Sequence, residues 1–146
     1  MLANEKPAPC PECGAPPADG LGCYEMLGVL IAWEAQDAEL FGVHFLTVAT
    51  YNLQHPAQFT GPALAGLRAV FAGYLDHGMG IAEVRRRVGR VAGGAVRVRK
   101  PEHERTITLR RWNMTIADVY AGGEPASAAG RVRAWAAAVR RELAAE

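Results

Sequence analysis

The 146-residue chain is half hydrophobic, enough for one domain with one core, and no apolar run approaches the roughly 18 residues that span a bilayer. Its net charge of +1 conceals an asymmetry, because residues 1–84 carry two basic and nine acidic side chains and residues 85–146 carry fourteen basic and six acidic ones. Ten of those basic residues crowd into 85–111, a patch suited to nucleic acid, to an acidic partner or to the chain's own acidic half.

Residues 1–22 are rich in Pro and Gly without any period, so they read as a loop held by something other than packing. The opening "MLANEKPAPC" offers no apolar stretch suited to secretion, so the expected location is the cytoplasm. From Cys23, "CYEMLGVLIAWEAQD" sets Met26, Leu27, Leu30 and Ile31, with Trp33 or Glu34, at helical spacing. This predicts a helix over 24–38 that ends near Asp37 to Glu39. "FGVHFLTVATYNLQHP" predicts a second helix over 43–55 with Phe41, Phe45, Val48, Tyr51 and Leu53 as its apolar residues. A strand is the rival reading, and Pro56 closes the element because proline disfavours a helical residue before it.

"TGPALAGLRAVFAGYLDHG" predicts a third helix, with Thr60 or Gly61 as cap, Pro62 in the first turn and Gly78 past the end. Leu64, Leu67, Phe71 and Leu75 form its stripe. "GIAEVRRRVGRVAGG" predicts a short basic helix with Ile81, Val84 and Val88 on one side, ended by Gly93-Gly94. "AVRVRK" and "RTITLRRW" both alternate apolar and charged residues, which predicts a small β-hairpin. Thr115 and Asp118 make a capping box for a short helix over "TIADVY". An Ala-rich helix from about Pro125 turns Val132, Trp135, Ala136 and Val139 inward, and Trp112 and Trp135 anchor the carboxy-terminal elements. The expected organisation is one domain over 1–146, with a leader (1–22), a helical core (23–93) and a hairpin with C-terminal helices (94–146).

The chemically specific stretch is "CPECGAPPADGLGC". Three cysteines cannot all pair within one chain, and the reducing cytoplasm disfavours a structural disulfide. The two-residue spacing of Cys10 and Cys13 lets a tight turn aim both sulfurs at one ion, and Gly14 relieves the backbone crowding of such a turn. Cys23 opens the first helix, where the positive end of the dipole favours a thiolate. If helices 24–38 and 43–55 are antiparallel, Cys23 and His55 lie at the same end, while His44 sits roughly 20 Å away at 1.5 Å per residue. His55 then completes a Cys₃His zinc set with Gln54 beside it; a different course of the second element makes His44 the ligand instead. Redox chemistry and unpaired cysteines are the alternatives. A thioredoxin-like pair lies between a strand and a helix, a context this leader lacks. Four protein ligands with three thiolates suit a structural ion better than a catalytic one.

Glu34, His44, Tyr51 and His55 could line a pocket that holds a ligand or does acid–base work; the plainer account is a buried histidine bonded to a carboxylate or a phenol. His77 and His103 read as surface residues. Arg85, Arg86, Arg87 and Arg90 hint at a nucleic-acid face, but no stacking aromatics are interleaved with them, and a solvated face paired with acidic side chains accounts for them better.

The order "CPECG", Cys23, "HFLTVATYNLQHP" (44–56) and "WNMTIADVY" (112–120) resembles a bacterial family of unknown function, domain of unknown function 5946. The resemblance implies that Cys10, Cys13, Cys23, His44, Tyr51, Gln54 and His55 form one cluster, and it names no reaction. The expectation is thus a mainly α protein, a small helical bundle with a zinc-pinned N-terminal loop and a minor β-hairpin. Its expected role is a binding or interaction module with a protein or small-molecule partner and an open oligomeric state. A metal-dependent enzyme near Glu34, His44, Tyr51 and His55 and a nucleic-acid binder through 85–111 are the alternatives.

Overall fold

The computed structural model describes residues 8–90 and 97–146. Among them the chain is mainly helical, with seven α-helices: α1 (Cys23–Trp33), α2 (Ala38–Gly42), α3 (His44–Leu53), α4 (Gly61–His77), α5 (Ile81–Arg90), α6 (Ile116–Tyr120) and α7 (Ala128–Ala144). No helix among the described residues is long and apolar enough to cross a membrane. The chain divides into two compact units, 1–51 with 109–146, and 52–108, and the division falls inside the uninterrupted helix α3.

In the first unit α6 packs against both α1 and α7, and α2 packs against α7. The periodicity of α7 translates directly into burial: Val132, Trp135, Ala136 and Val139 are fully enclosed. The Thr115–Asp118 capping box forms as its spacing predicts, the Asp118 carboxylate accepting from the Thr115 amide at 2.8 Å. Trp112 is only half-buried, with the Arg110 guanidinium 3.9 Å above its ring.

The first helical segment breaks earlier than its apolar pattern suggests. Helix α1 stops at Trp33, a 3-10 turn follows over Glu34–Gln36, and Asp37 is extended (φ −141°, ψ 98°). The Asp37 carboxylate accepts from the Leu40 amide at 3.0 Å and so caps α2, which occupies the stretch expected to be a turn. That break rotates the register. Phe41 and Ile31, expected to face inward, are exposed; α3 buries Tyr51 and Leu53 as expected and adds Leu46, Thr47, Ala49 and Thr50.

The leader is more ordered by packing than its composition suggests. Cys13 and Ala15 are buried. Asp19 and Gly20 both have positive φ (52° and 76°), and Ala18 and Leu21 exchange backbone hydrogen bonds at 2.8 and 3.1 Å. This is a two-residue turn of the type that Asp-Gly favours. The Tyr120 hydroxyl donates to Asp19 Oδ2 at 2.7 Å, and the Arg110 amide donates to the Glu12 carbonyl at 3.0 Å.

In the second unit α4 packs against α5. Thr60 caps α4 through the Ala63 amide, Pro62 lies in its first turn, and Gly78 closes it in the left-handed conformation. Phe71 of the expected stripe is buried, with Val70 and Ala63; Leu64, Leu67 and Leu75 are half-exposed. In α5 Val84 is buried, whereas Ile81 and Val88 are exposed. The Gly93-Gly94 stop lies outside the described residues.

The expected hairpin is not formed among the described residues; positions 95–96 of its first arm lie outside them. The segment around Arg99 pairs instead with the turn before α4. Lys100 donates to the Gln58 carbonyl and Thr60 to the Val98 carbonyl, with Phe59 and Arg99 bridged antiparallel. Alternation of side chains specifies an extended segment but not its partner.

Candidate metal centre

A tight turn builds the first half of the site. The Gly14 amide donates to the Cys10 carbonyl at 2.9 Å and the Cys10 amide to the Ala15 carbonyl at 3.0 Å. Gly14 has φ +78°, a left-handed value that an L side chain adopts only with strain. In this turn the Cys13 amide donates to Cys10 Sγ and the Ala15 amide to Cys13 Sγ, both at 3.4 Å. N–H groups directed at sulfur favour the thiolate.

Cys23 is the first residue of α1. The Glu25 side chain accepts from the Gly22 amide at 3.0 Å, which fixes the entry of the chain into the helix. Cys23 Sγ lies 3.5 Å from the Tyr51 hydroxyl. Beyond the end of α3 the His55 amide donates to the Asn52 carbonyl at 3.0 Å, so the imidazole is carried on the last turn of that helix.

Cys10, Cys13, Cys23 and His55 are thereby brought together: their four ligand atoms all lie within 4.8 Å of one another. Cys13 and His55 are buried, Cys10 and Cys23 half-buried, and none of the three cysteines is in a disulfide. This cluster could hold a metal ion. The crowding of sulfur is reflected in the protonation. A hydrogen bond with Cys23 and then burial push the Cys13 thiol well above its ordinary range, and negative charge at Cys23 and Cys10 adds to the effect; the Ala15 amide opposes it. Burial, followed by the bond to Cys23, likewise pushes the Tyr51 phenol up. A bound cation inverts this balance, since it compensates the thiolates that otherwise repel one another. Gln54 is 1% exposed, next to His55 in the chain.

His44 and Glu34 are not part of this group. His44 opens α3, seven residues and about 10.5 Å of helix before Tyr51. Its Nδ1 lies 2.8 Å from both carboxylate oxygens of Glu34. The Glu34 side chain is 6% exposed and that of His44 is 47% exposed, so a buried carboxylate holds a half-exposed imidazole. The four residues expected around one pocket thus belong to two places, Glu34 with His44, and Tyr51 and His55 with the cysteines.

In α5, Arg86 and Arg87 each donate from Nε to the Glu83 carboxylate at 2.9 Å, and a second bond joins Arg86 to it. These bonds hold the Glu83 carboxyl below its ordinary range. Arg85 and Arg90 are exposed. His77 and His103 are exposed as expected. The inward polar residues Thr47 and Thr50 and the Asp19–Tyr120 bond were not anticipated. Of these, only Asp19 carried a sequence signal, through the Asp-Gly pair.

No curated protein and no solved structure matches the chain. A family model described as "Family of unknown function (DUF5946)" matches residues 8–144, and the chain belongs to that family.

Proposed function

We propose that this is a small cytoplasmic binding or interaction module stabilised by one zinc ion on Cys10, Cys13, Cys23 and His55. The observation that carries the reading is the convergence of the four ligand atoms within 4.8 Å. Zn–S bonds of about 2.3 Å and Zn–N bonds of about 2.0 Å in a tetrahedron set ligand separations of roughly 3.5–3.8 Å. The cluster therefore needs to contract by at most about 1.3 Å to close on the ion. Three sulfurs and an imidazole are a zinc donor set, and they leave no position for a reacting water, which favours a structural ion. The Tyr51 hydroxyl, 3.5 Å from Cys23 Sγ, and the buried Gln54 beside His55 would support the ligands. Three cysteines free of disulfides and the lack of a membrane-crossing helix among the described residues accord with a reducing compartment. Elemental analysis of protein purified without chelator tests the reading: about one zinc per chain is expected, and less than about 0.3 refutes it.

A second reading, an enzyme acting at Glu34 and His44, is favoured by one observation. The buried Glu34 carboxylate lies 2.8 Å from His44 Nδ1 and orients the ring so that Nε2 is the nitrogen left for a substrate on a half-exposed side chain. Such an imidazole is oriented as a general base. Hydrolysis of p-nitrophenyl acetate by the wild type and by H44Q discriminates: equal rates remove this reading.

A further inference from the structure

The second unit encloses a cavity of about 160 Å³ lined by Phe59, Leu64, Leu67, Val70, Val88 and Arg87. Phe59 and Val70 form its buried wall, Leu64 and Leu67 are half-exposed, and Val88 is exposed. Its walls are almost entirely hydrocarbon, with Arg87 and Asn52 as the polar exceptions and no acidic residue among them.

Arg87 is only partly committed. Its Nε donates to Glu83, and among the described residues its two terminal nitrogens have no hydrogen-bond partner. Glu83 is shared with Arg86, so one carboxylate faces two guanidinium groups. A second positive charge lies close by: the Arg99 guanidinium sits 5.6 Å from the centre of the Phe59 ring, with its Nη1 bonded to Gln58 Oε1 at 2.7 Å. The cavity thus joins an apolar body to a cationic edge.

Volume and charge together select the occupant. An apolar cavity of about 150 Å³ accommodates a benzene ring, and a guanidinium with free N–H groups in fork geometry pairs with a carboxylate. We propose that this cavity binds a small apolar monocarboxylate, its hydrocarbon against Phe59, Leu67 and Val70 and its carboxylate on Arg87. This gives the binding-module reading a ligand class and rests on that reading for its role. The cavity is made wholly of second-unit residues, so its occupancy is measured separately from zinc content.

The test uses the full chain with labelled methyl groups, zinc quantified in the same sample, and benzoate as probe. Titration followed by NMR should shift the methyls of Leu64, Leu67, Val70 and Val88 with half-saturation at or below about 3 mM. Benzyl alcohol, with the same ring and no charge, should bind about tenfold more weakly. R87Q should bring benzoate down to the benzyl alcohol level while altering benzyl alcohol binding by less than about twofold. L67W, which fills the space, should abolish binding of both. No saturation by about 30 mM benzoate, shifts confined to other methyls, or an R87Q variant with undiminished benzoate affinity overturns the proposal. Protein that carries zinc and ignores benzoate rejects the ligand class alone; protein that binds benzoate without zinc rejects the metal reading alone.

Discussion

Replacing His55 with alanine separates the proposed zinc set from any arrangement that puts His44 on the ion. His55 is 7% exposed, and its ring nitrogen is one of four ligand atoms within 4.8 Å of one another. Structural zinc sites in small domains bind with about 10–16 kcal/mol of apparent free energy. An even share among four ligands gives roughly 2.5–4 kcal/mol for the imidazole, so H55A should hold zinc about 10²–10³-fold more weakly. Binding to the folded state alone adds to stability, so the same energy should disappear from unfolding measured with zinc present. H44A acts elsewhere. It leaves Glu34, whose side chain is 6% exposed, without its imidazole partner, which costs about 1–3 kcal/mol of stability and no zinc. Competition against a chromophoric chelator reads the first effect, and urea unfolding with and without zinc reads both. Wild-type zinc affinity in H55A, or a larger zinc loss in H44A than in H55A, would refute the assignment of the fourth ligand.

Other consequences are cheaper to measure. The Cys13 thiol, raised by its neighbours, must give up its proton to bind an ion as thiolate, so zinc loading should release at least about one proton per ion in calorimetry across buffers of different ionisation enthalpy; loading without proton release contradicts it. In the metal-free protein a raised thiol contributes stability that is intact below the ordinary thiol pKa of about 8.5 and is lost as pH climbs beyond it. Gly14→Ala forces an L residue to φ +78° and should cost about 1–2 kcal/mol, with zinc affinity falling alongside, since the same turn aims both sulfurs; unchanged affinity would separate the turn from the site. Glu83 holds Arg86 and Arg87, so fluorescence anisotropy should detect no saturable DNA binding at low salt, and binding that weakens steeply as salt rises reinstates the nucleic-acid reading.

The elements most legible in the sequence were those whose signals are local. Thr115 and Asp118 specify a cap by their spacing alone, and the apolar period of α7 needs no knowledge of its neighbours to place Trp135 inside. Thr60, Pro62 and Gly78 bound α4 for the same reason. The stretch from Trp33 to Val43 was misread because one residue outweighs an apolar run. Asp37 competes for backbone N–H groups, ends the first helical segment and caps α2, and the register shift that follows puts Phe41 in solvent. Asp19-Gly20 was a legible hairpin signal inside a segment read as loop. The pairing of Arg99 with Phe59 was not legible, because an alternating segment carries no address for its partner. For the metal cluster, the sequence supplied the donor types and an assumed antiparallel pair of helices supplied the fourth candidate; the bond between Tyr51 and Cys23 depended on a helix register that only the fold provides.

That register also explains why one cluster became two. An α-helix rises about 1.5 Å per residue, so the nine steps of α3 from His44 to Leu53, before His55 is reached, already advance the backbone by roughly 13 Å along the axis. A single pocket cannot span that distance with side chains of this length. Helix α3 instead presents a different chemistry at each end. At its start, His44 meets a buried carboxylate and keeps an open edge; past its end, His55 joins three sulfurs, with Tyr51 bonded to one of them. An ion at the sulfur end would have four protein donors and no vacant position, whereas the imidazole at the carboxylate end has only its Nδ1 engaged, by Glu34. The two proposed roles, structural metal binding and acid–base chemistry, would therefore fall at opposite ends of one helix, and removing a bound metal should disturb the Glu34–His44 pair only through the stability of the helix that carries it.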